Sequence, residues 1–204
     1  LLSLFVVPPD APGLEYRHLP VEIVSPEKQF ILFFDNVWVD AANLVGAEND
    51  GLRQLFFGLN PERVTGAAMA CGSARYALDI ASEYARNRRV WDVPIGAHQG
   101  IAHPLAKAKI ELELSRLAML RAAHDYDAGL DLGEWSNMAK YSAGRAANVA
   151  LEQAIQTLGG NGLASEYGLA DTWGATRLLE IAPISREMIL NFVAQHSLGL
   201  PKSY

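Results

Sequence analysis

After Gly46 the punctuation of this chain changes, and that change constrains the fold more than any other feature. Up to Val45 the sequence is broken by Pro8, Pro9, Pro12, Gly13, Pro20 and Pro26 into short apolar, β-favouring runs at 4–7, 21–24 and 30–39. Proline supplies no ladder hydrogen bond, so these runs read as short strands joined by tight corners. The opening run has neither Met nor a cap before it and reads as a chain entered in mid-strand. Beyond Gly46, Ala, Leu, Glu and Arg take over at helical spacing.

Met69, Gly72, Tyr76, Ile80 and Tyr84 fall at i, i+3, i+7, i+11 and i+15 and predict one long helix over 51–88, kinked or broken at Pro61. A second helix is predicted over 101–128, with Pro104 in its first turn. It is apolar on several sides through Ile110, Leu112, Leu114, Leu117 and Leu120, which predicts extensive burial. A third, Ala-rich helix spans 135–158 and is closed by Gly159 and Gly160. A short helix over 172–181 and a last one over 184–196 complete the pattern, with Ile184, Met188, Ile189, Phe192 and Val193 on one face of the latter. The expected fold is therefore mainly α: an up-down, four-helix-type bundle over 46–204 preceded by a partial β segment over 1–45.

Composition removes several function classes. A formal charge of -6, with Arg86, Arg88 and Arg89 as the densest basic group, is wrong for a general nucleic-acid binder. One cysteine, Cys71, cannot close an internal disulfide, and no Cys and His cluster has zinc spacing. Cys71 reads as a small buried hydrophobe. No apolar run reaches membrane-spanning length and no signal-peptide pattern opens the chain. A soluble protein of a reducing compartment is expected: cytoplasmic, or in the mitochondrial matrix of a eukaryote. The five histidines sit beside no recognisable Ser or Cys nucleophile motif, and Gly159–Gly162 follows a helix, unlike an NAD or P-loop fingerprint.

Three stretches carry a family resemblance. Phe34-Asp35-Asn36-Val37-Trp38-Val39 is followed by Leu44-Val45-Gly46; Arg88-Arg89-Val90-Trp91 is followed by Pro94-Ile95-Gly96-Ala97-His98-Gln99; and Gln156-Thr157-Leu158-Gly159-Gly160-Asn161-Gly162 closes a helix. From Phe34 onward the chain resembles the acyl-CoA dehydrogenases, from the end of their middle β domain through their C-terminal bundle. The resemblance implies FAD as cofactor, with Arg88 meeting its pyrophosphate and Gln99 touching a flavin held mainly by a neighbouring subunit. It also implies that Gln156, Gly159 and Gly160 line the adenosine side, where absent Cβ atoms let backbone approach. The bland reading of Gly159 and Gly160 is a helix cap. Glu187 lies where the family has a residue near FAD, although a first-turn Glu beside Ser185 is the ordinary alternative.

Thioester dehydrogenation needs a carboxylate for the α proton while the flavin accepts the β hydride. Many family members place that Glu just before the last helix, where this chain has Pro183 within Ile181-Ala182-Pro183-Ile184-Ser185. A second branch takes it from the first long helix, and Leu59-Asn60-Pro61-Glu62-Arg63 matches that position. Glu62 is thus the candidate base, with Asn60 and Arg63 as candidate substrate-binding neighbours. An exposed first-turn Glu after Pro61, and a solvent-facing Arg63, are the plain alternatives. Pro183 also lacks the backbone N–H that the family uses at the thioester oxygen, so either Ile184 N–H substitutes, the alignment slips by one, or the site works differently. Glu180 reads as structural, and Arg177 as a member of a structural ion pair.

The implied function is FAD-dependent α,β-dehydrogenation of an acyl-CoA, in a homo-oligomer (dimer or tetramer), with an electron-transferring flavoprotein as acceptor. The alternatives are a non-catalytic subunit in a hetero-oligomer with an active homologue, and a flavin oxidase or monooxygenase on the same scaffold.

Overall fold

The computed structural model describes residues 1–202, in two compact units, Leu1–Leu59 and the residues from Asn60 onward. In the first, β1 (Leu4–Phe5) pairs antiparallel with β4 (Leu44–Val45), and β2 (Leu14–Leu19) pairs antiparallel with β3 (Gln29–Phe34) in the register Leu14↔Phe34 to Leu19↔Gln29. Gly13 makes the corner before β2: its φ is +84, and a Cβ there would lie 2.0 Å from the Asp35 carbonyl oxygen.

The β segment departs from the sequence expectation in three places. The run over 21–24 forms no strand, because Pro20 ends β2 and cannot extend its ladder. The strand expected over 30–39 stops at Phe34, where Asn36 turns the chain at φ +50. Strand β2 was not expected from its mixed Leu-Glu-Tyr-Arg-His-Leu composition. Cross-strand pairs make it: Tyr16 and His18 meet Phe30 edge-on at 6.1 and 5.7 Å, and Arg17 lies 5.4 Å over Phe33.

Among the described residues five α-helices follow, α1 (Gly51–Asn87), α2 (Gln99–Asp127), α3 (Gly133–Leu158), α4 (Trp173–Ile181) and α5 (Arg186–Phe192), the last continuing as a π turn over Val193–Ser197. Pro61 does not break α1. Helix α2 starts two residues earlier than predicted, which places Pro104 in its second turn. Between α1 and α2, β5 (Arg89–Val90) and β6 (Val93–Pro94) form a hairpin whose two-residue loop, Trp91 and Asp92, has φ of 51 and 64. That is the backbone of a primed turn, which matches the twist of the flanking strands.

The bundle core is built from small residues. Helix α1 buries Ala67, Ala70, Cys71, Ala74, Ala77, Leu78, Ala81 and Ala85, and α3 buries Ala139, Ala143, Ala146, Ala147, Ala150, Leu151 and Ala154. Methyl-sized contacts let helix axes approach the short end of the usual range of about 8–10 Å. Helix α3 comes so close to α4 that a Cβ on Gly144 would sit 2.7 Å from the Leu179 carbonyl oxygen. Met69 and Tyr76, on the face whose spacing announced α1, are exposed. The extensive burial expected of α2 is also corrected. Leu105, Ala108, Leu112 and Ala122 are buried, whereas Ile110, Leu114, Leu117 and Leu120 are exposed, because only one side of α2 packs on the chain's own helices. Cys71 is buried as expected, and desolvation pushes its thiol pKa up.

Among the described residues no helix is long and apolar enough to cross a membrane, and no group of three or more His, Cys, Asp or Glu could hold a metal ion.

Candidate functional site

The candidate residues occupy two stations at opposite ends of the bundle. The first is polar and buried. Arg63, only 2% exposed, donates from Nη1 to Asn137 Oδ1 at 2.5 Å and from Nη2 to Asn60 Oδ1. Its solvent-facing alternative is therefore ruled out, and burial pulls its pKa below the ordinary guanidinium range. Asn137 in turn donates to the Gly133 carbonyl at 2.8 Å, so the acceptor that holds the guanidinium is itself fixed. Successive helical residues diverge by about 100° around the axis. With Arg63 turned inward, its neighbour Glu62 stands on the exposed side of α1.

One turn along α3 from Asn137, Lys140 is also only 2% exposed, and its Nζ donates to the Ile184 carbonyl at 2.6 Å. Burial, chiefly, lowers its pKa to about 8; Arg63 adds to that fall, and the carboxylates Glu180 and Glu187 oppose it. Glu180, read as structural, is buried and pairs with Arg177, for which an ion pair was expected without a named partner. Glu187 is exposed, and its contact with Arg186 at 2.5 Å holds its carboxyl below the usual range. Pro183, preceded by a cis peptide bond, and Ile184 form the corner between α4 and α5, and Ser185 caps α5 by accepting from Met188 N at 3.3 Å. Two residues of α3 thus hold the Asn60–Arg63 pair, through Asn137, and the Ile184 carbonyl next to Pro183, through Lys140.

Sequence reasoning missed those two residues. The signal was available: Asn137 and Lys140 share a helical face with Gly144, Ala147 and Leu151, and a lysine on an apolar stripe is seldom buried without a partner.

The second station lies at the far ends of α1 and α3. At about 1.5 Å per residue, the end of α1 is about 36 Å along the axis from Arg63. Arg88 follows α1 directly, with its backbone held by Tyr84 and Ile95, and its side chain is exposed. Gln99 is the first residue of α2 and is exposed as well. His98, before it, packs edge-on against Trp91 at 6.0 Å and so ties the hairpin to the start of α2. Gln156 lies in the last turn of α3, and Gly159 caps that helix at φ +61. A Cβ on Gly159 or Gly160 would meet nothing within 4 Å, so both present open backbone, whereas one on Gly162 would collide with Ile155. Asn161 donates to Tyr84 Oη at 3.1 Å, which binds the glycine turn to α1 beside Arg88. Exposed guanidinium, amide and open glycine backbone fit the polyanionic, planar surface of a dinucleotide.

An apolar groove of about 600 Å³ between α2, α3 and α5, lined by Trp135, Met138, Tyr141, Leu190 and Val193, contains none of the candidate residues.

By fold the class is a mainly helical one: short antiparallel β elements followed in sequence by a helical bundle. The sequence model described as "Acyl-CoA dehydrogenase, C-terminal domain" matches residues 49–198, and the chain belongs to the acyl-CoA dehydrogenase family. The acyl-CoA dehydrogenase FadE12 of Mycobacterium tuberculosis is 57% identical over 204 residues, covering 99% of this chain and 53% of that protein. A glutaryl-coenzyme A dehydrogenase solved with glutaryl-CoA superposes with a TM-score of 0.89 at 32% identity, over 98% of this chain and 51% of that one. PigA, solved with FAD and proline, superposes at 0.91 with 24% identity over 97% and 52%, a likeness of fold. The chain spans about half the length of the curated relatives it matches.

Proposed function

We propose that the protein carrying this chain is an FAD-dependent acyl-CoA dehydrogenase, with Glu62 as the base that removes the α proton of the thioester. Family membership sets the reaction class, and the observation that carries the assignment of the base is the Arg63 anchor. By burying Arg63 against Asn137 and Asn60, α1 fixes the rotation at which Glu62 leaves the helix. A base held by a locked helix surface is pre-oriented for its proton. Glu62 is open to water in this chain, so substrate, cofactor or another subunit must cover it for the carboxylate to work in a dry site.

FAD, when bound, supplies the acceptor for the β hydride. Arg88 would neutralise its pyrophosphate, Gln99 and Gln156 would hydrogen-bond to it, and Gly159 and Gly160 would let it lie against backbone. Glu187 is a further candidate near the cofactor, and Asn60 and Arg63 border the substrate. Because the two stations lie about 36 Å apart along α1, they cannot serve one reacting centre from the same copy. This favours a homo-oligomer in which one subunit brings its flavin station to the Glu62 end of another. The exposed stripe of Ile110, Leu114 and Leu117 on α2 supports association. An electron-transferring flavoprotein is the proposed electron acceptor.

Pro183 motivates a second reading, a non-catalytic subunit paired with an active homologue, since proline offers no N–H to the thioester oxygen. Glu62→Gln in the native FAD-loaded protein decides the matter. Anaerobic bleaching of the flavin by an acyl-CoA panel should slow about 100- to 10,000-fold. An unchanged rate removes Glu62 as the base, and no bleaching of the wild type by any thioester favours the second reading.

A further inference from the structure

The catalytic candidate Glu62 sits on α1, Pro183 occupies the corner between α4 and α5, and a buried side chain from α3 reaches that corner. Lys140 places its Nζ 2.6 Å from the Ile184 carbonyl oxygen. A lysine this deeply buried costs solvation energy, and core lysines on an Ala-rich helix are seldom tolerated without a use. The contact joins residues 44 apart in sequence and ends on the Ile184–Ser185 peptide, one residue beyond Pro183.

We propose that Lys140 is a positioning residue for the active site: it clamps the Ile184–Ser185 peptide and thereby fixes the Pro183 corner against the Arg63 anchor of α1. The inference rests on the dehydrogenase reading given above.

The geometry gives the clamp a specific consequence. In a trans peptide the carbonyl and the next N–H point in opposite directions. Holding the Ile184 oxygen toward α3 therefore sets the direction of the Ser185 N–H and the start of α5, including Glu187. In a chain whose corner carries proline, the orientation of the peptides that remain matters more, because one N–H is already missing. Three charged groups act on the ammonium: Arg63 on α1, Glu180 on α4, itself paired with Arg177, and Glu187 on α5. The carboxylates favour its charged form and Arg63 opposes it, while the hydrogen bond itself joins α3 to the corner between α4 and α5. Lys140 touches none of the reacting atoms in this scheme; it acts through the corner.

Lys140→Met and Lys140→Arg in the native FAD-loaded protein test this, with amide exchange of the 182–188 segment, kcat and KM for an acyl-CoA, and FAD occupancy as readouts. The clamp requires that Lys140→Met speed exchange over 182–188 at least tenfold while α2 is unchanged. It also requires that kcat fall at least tenfold with FAD occupancy retained, and that Lys140→Arg restore part of both. Unchanged exchange and kcat in Lys140→Met overturn the proposal. So does a uniform rise of exchange throughout the bundle with loss of FAD, which marks a lysine needed only for folding. If Lys140→Met does not fold, Lys140→Gln, shorter but still a donor, is judged by the same criteria. A wild-type protein that turns over no thioester defeats the dehydrogenase reading alone, and the exchange comparison still decides whether the clamp exists.

Discussion

The pair Arg63 and Asn137 offers a quantitative test of the polar station. Asn137→Ala removes the buried acceptor that lies 2.5 Å from a guanidinium only 2% exposed. A hydrogen bond to a charged group is worth about 1.5–3 kcal/mol, and a buried charge that loses a partner incurs desolvation as well. Asn60 still accepts from the same guanidinium, which keeps the expected loss near 2–3 kcal/mol. In native-state amide exchange that is about 30- to 150-fold faster exchange for the slowest amides of α1 and α3. Arg63→Met replaces the charge with an apolar chain of similar length and should cost little, since buried ion contacts exchanged for apolar packing are often neutral. In the Arg63→Met background, Asn137→Ala should then cost only about 1 kcal/mol, a coupling of about 1–2 kcal/mol. Additive single effects, with coupling below about 0.5 kcal/mol, would refute the claim that Asn137 holds the guanidinium.

Two further outcomes follow from the same structure. Lys140 has a folded pKa of about 8 against an ordinary 10.5, so between those values the unfolded chain binds more protons and stability rises with pH. The penalty is fully present below pH 8, and it is relieved by roughly 3 kcal/mol by pH 10.5. The difference in urea midpoint between wild type and Lys140→Met should therefore move in favour of the wild type over that window, and parallel curves would contradict it. Gly144→Ala would force a Cβ to 2.7 Å from the Leu179 carbonyl, backbone that cannot swing away. A loss of about 1–3 kcal/mol is expected from such overpacking, read as a lower Tm; an unchanged Tm would show that α4 is free to shift.

How much was legible beforehand varies element by element. The long helices were, because each carries its own punctuation: Pro and Gly before α1, the glycine pair after α3, and stretches rich in good helix formers between. The fold class and the family followed, since the Arg88-to-Gln99 and Gln156-to-Gly162 stretches are local in the chain. Strand β2 was not legible, because its stability comes from Phe30 and Phe33 across the ladder rather than from its own residues. The buried face of α1 was not legible either: methyl groups pack as closely as larger side chains, but their weak hydrophobicity hardly marks a face in a pattern.

The sequence by itself determined where the helices run, that the chain is mainly α, and which short motifs tie it to its family. Tertiary structure alone decided that Arg63 turns inward, that Asn137 and Lys140 reach from α3 to residues 74 and 44 positions away, and that the candidate residues split between two ends of the bundle. The reason is that helix formation follows from neighbours within a turn, whereas burial of a charge is permitted only where distant segments supply its acceptors.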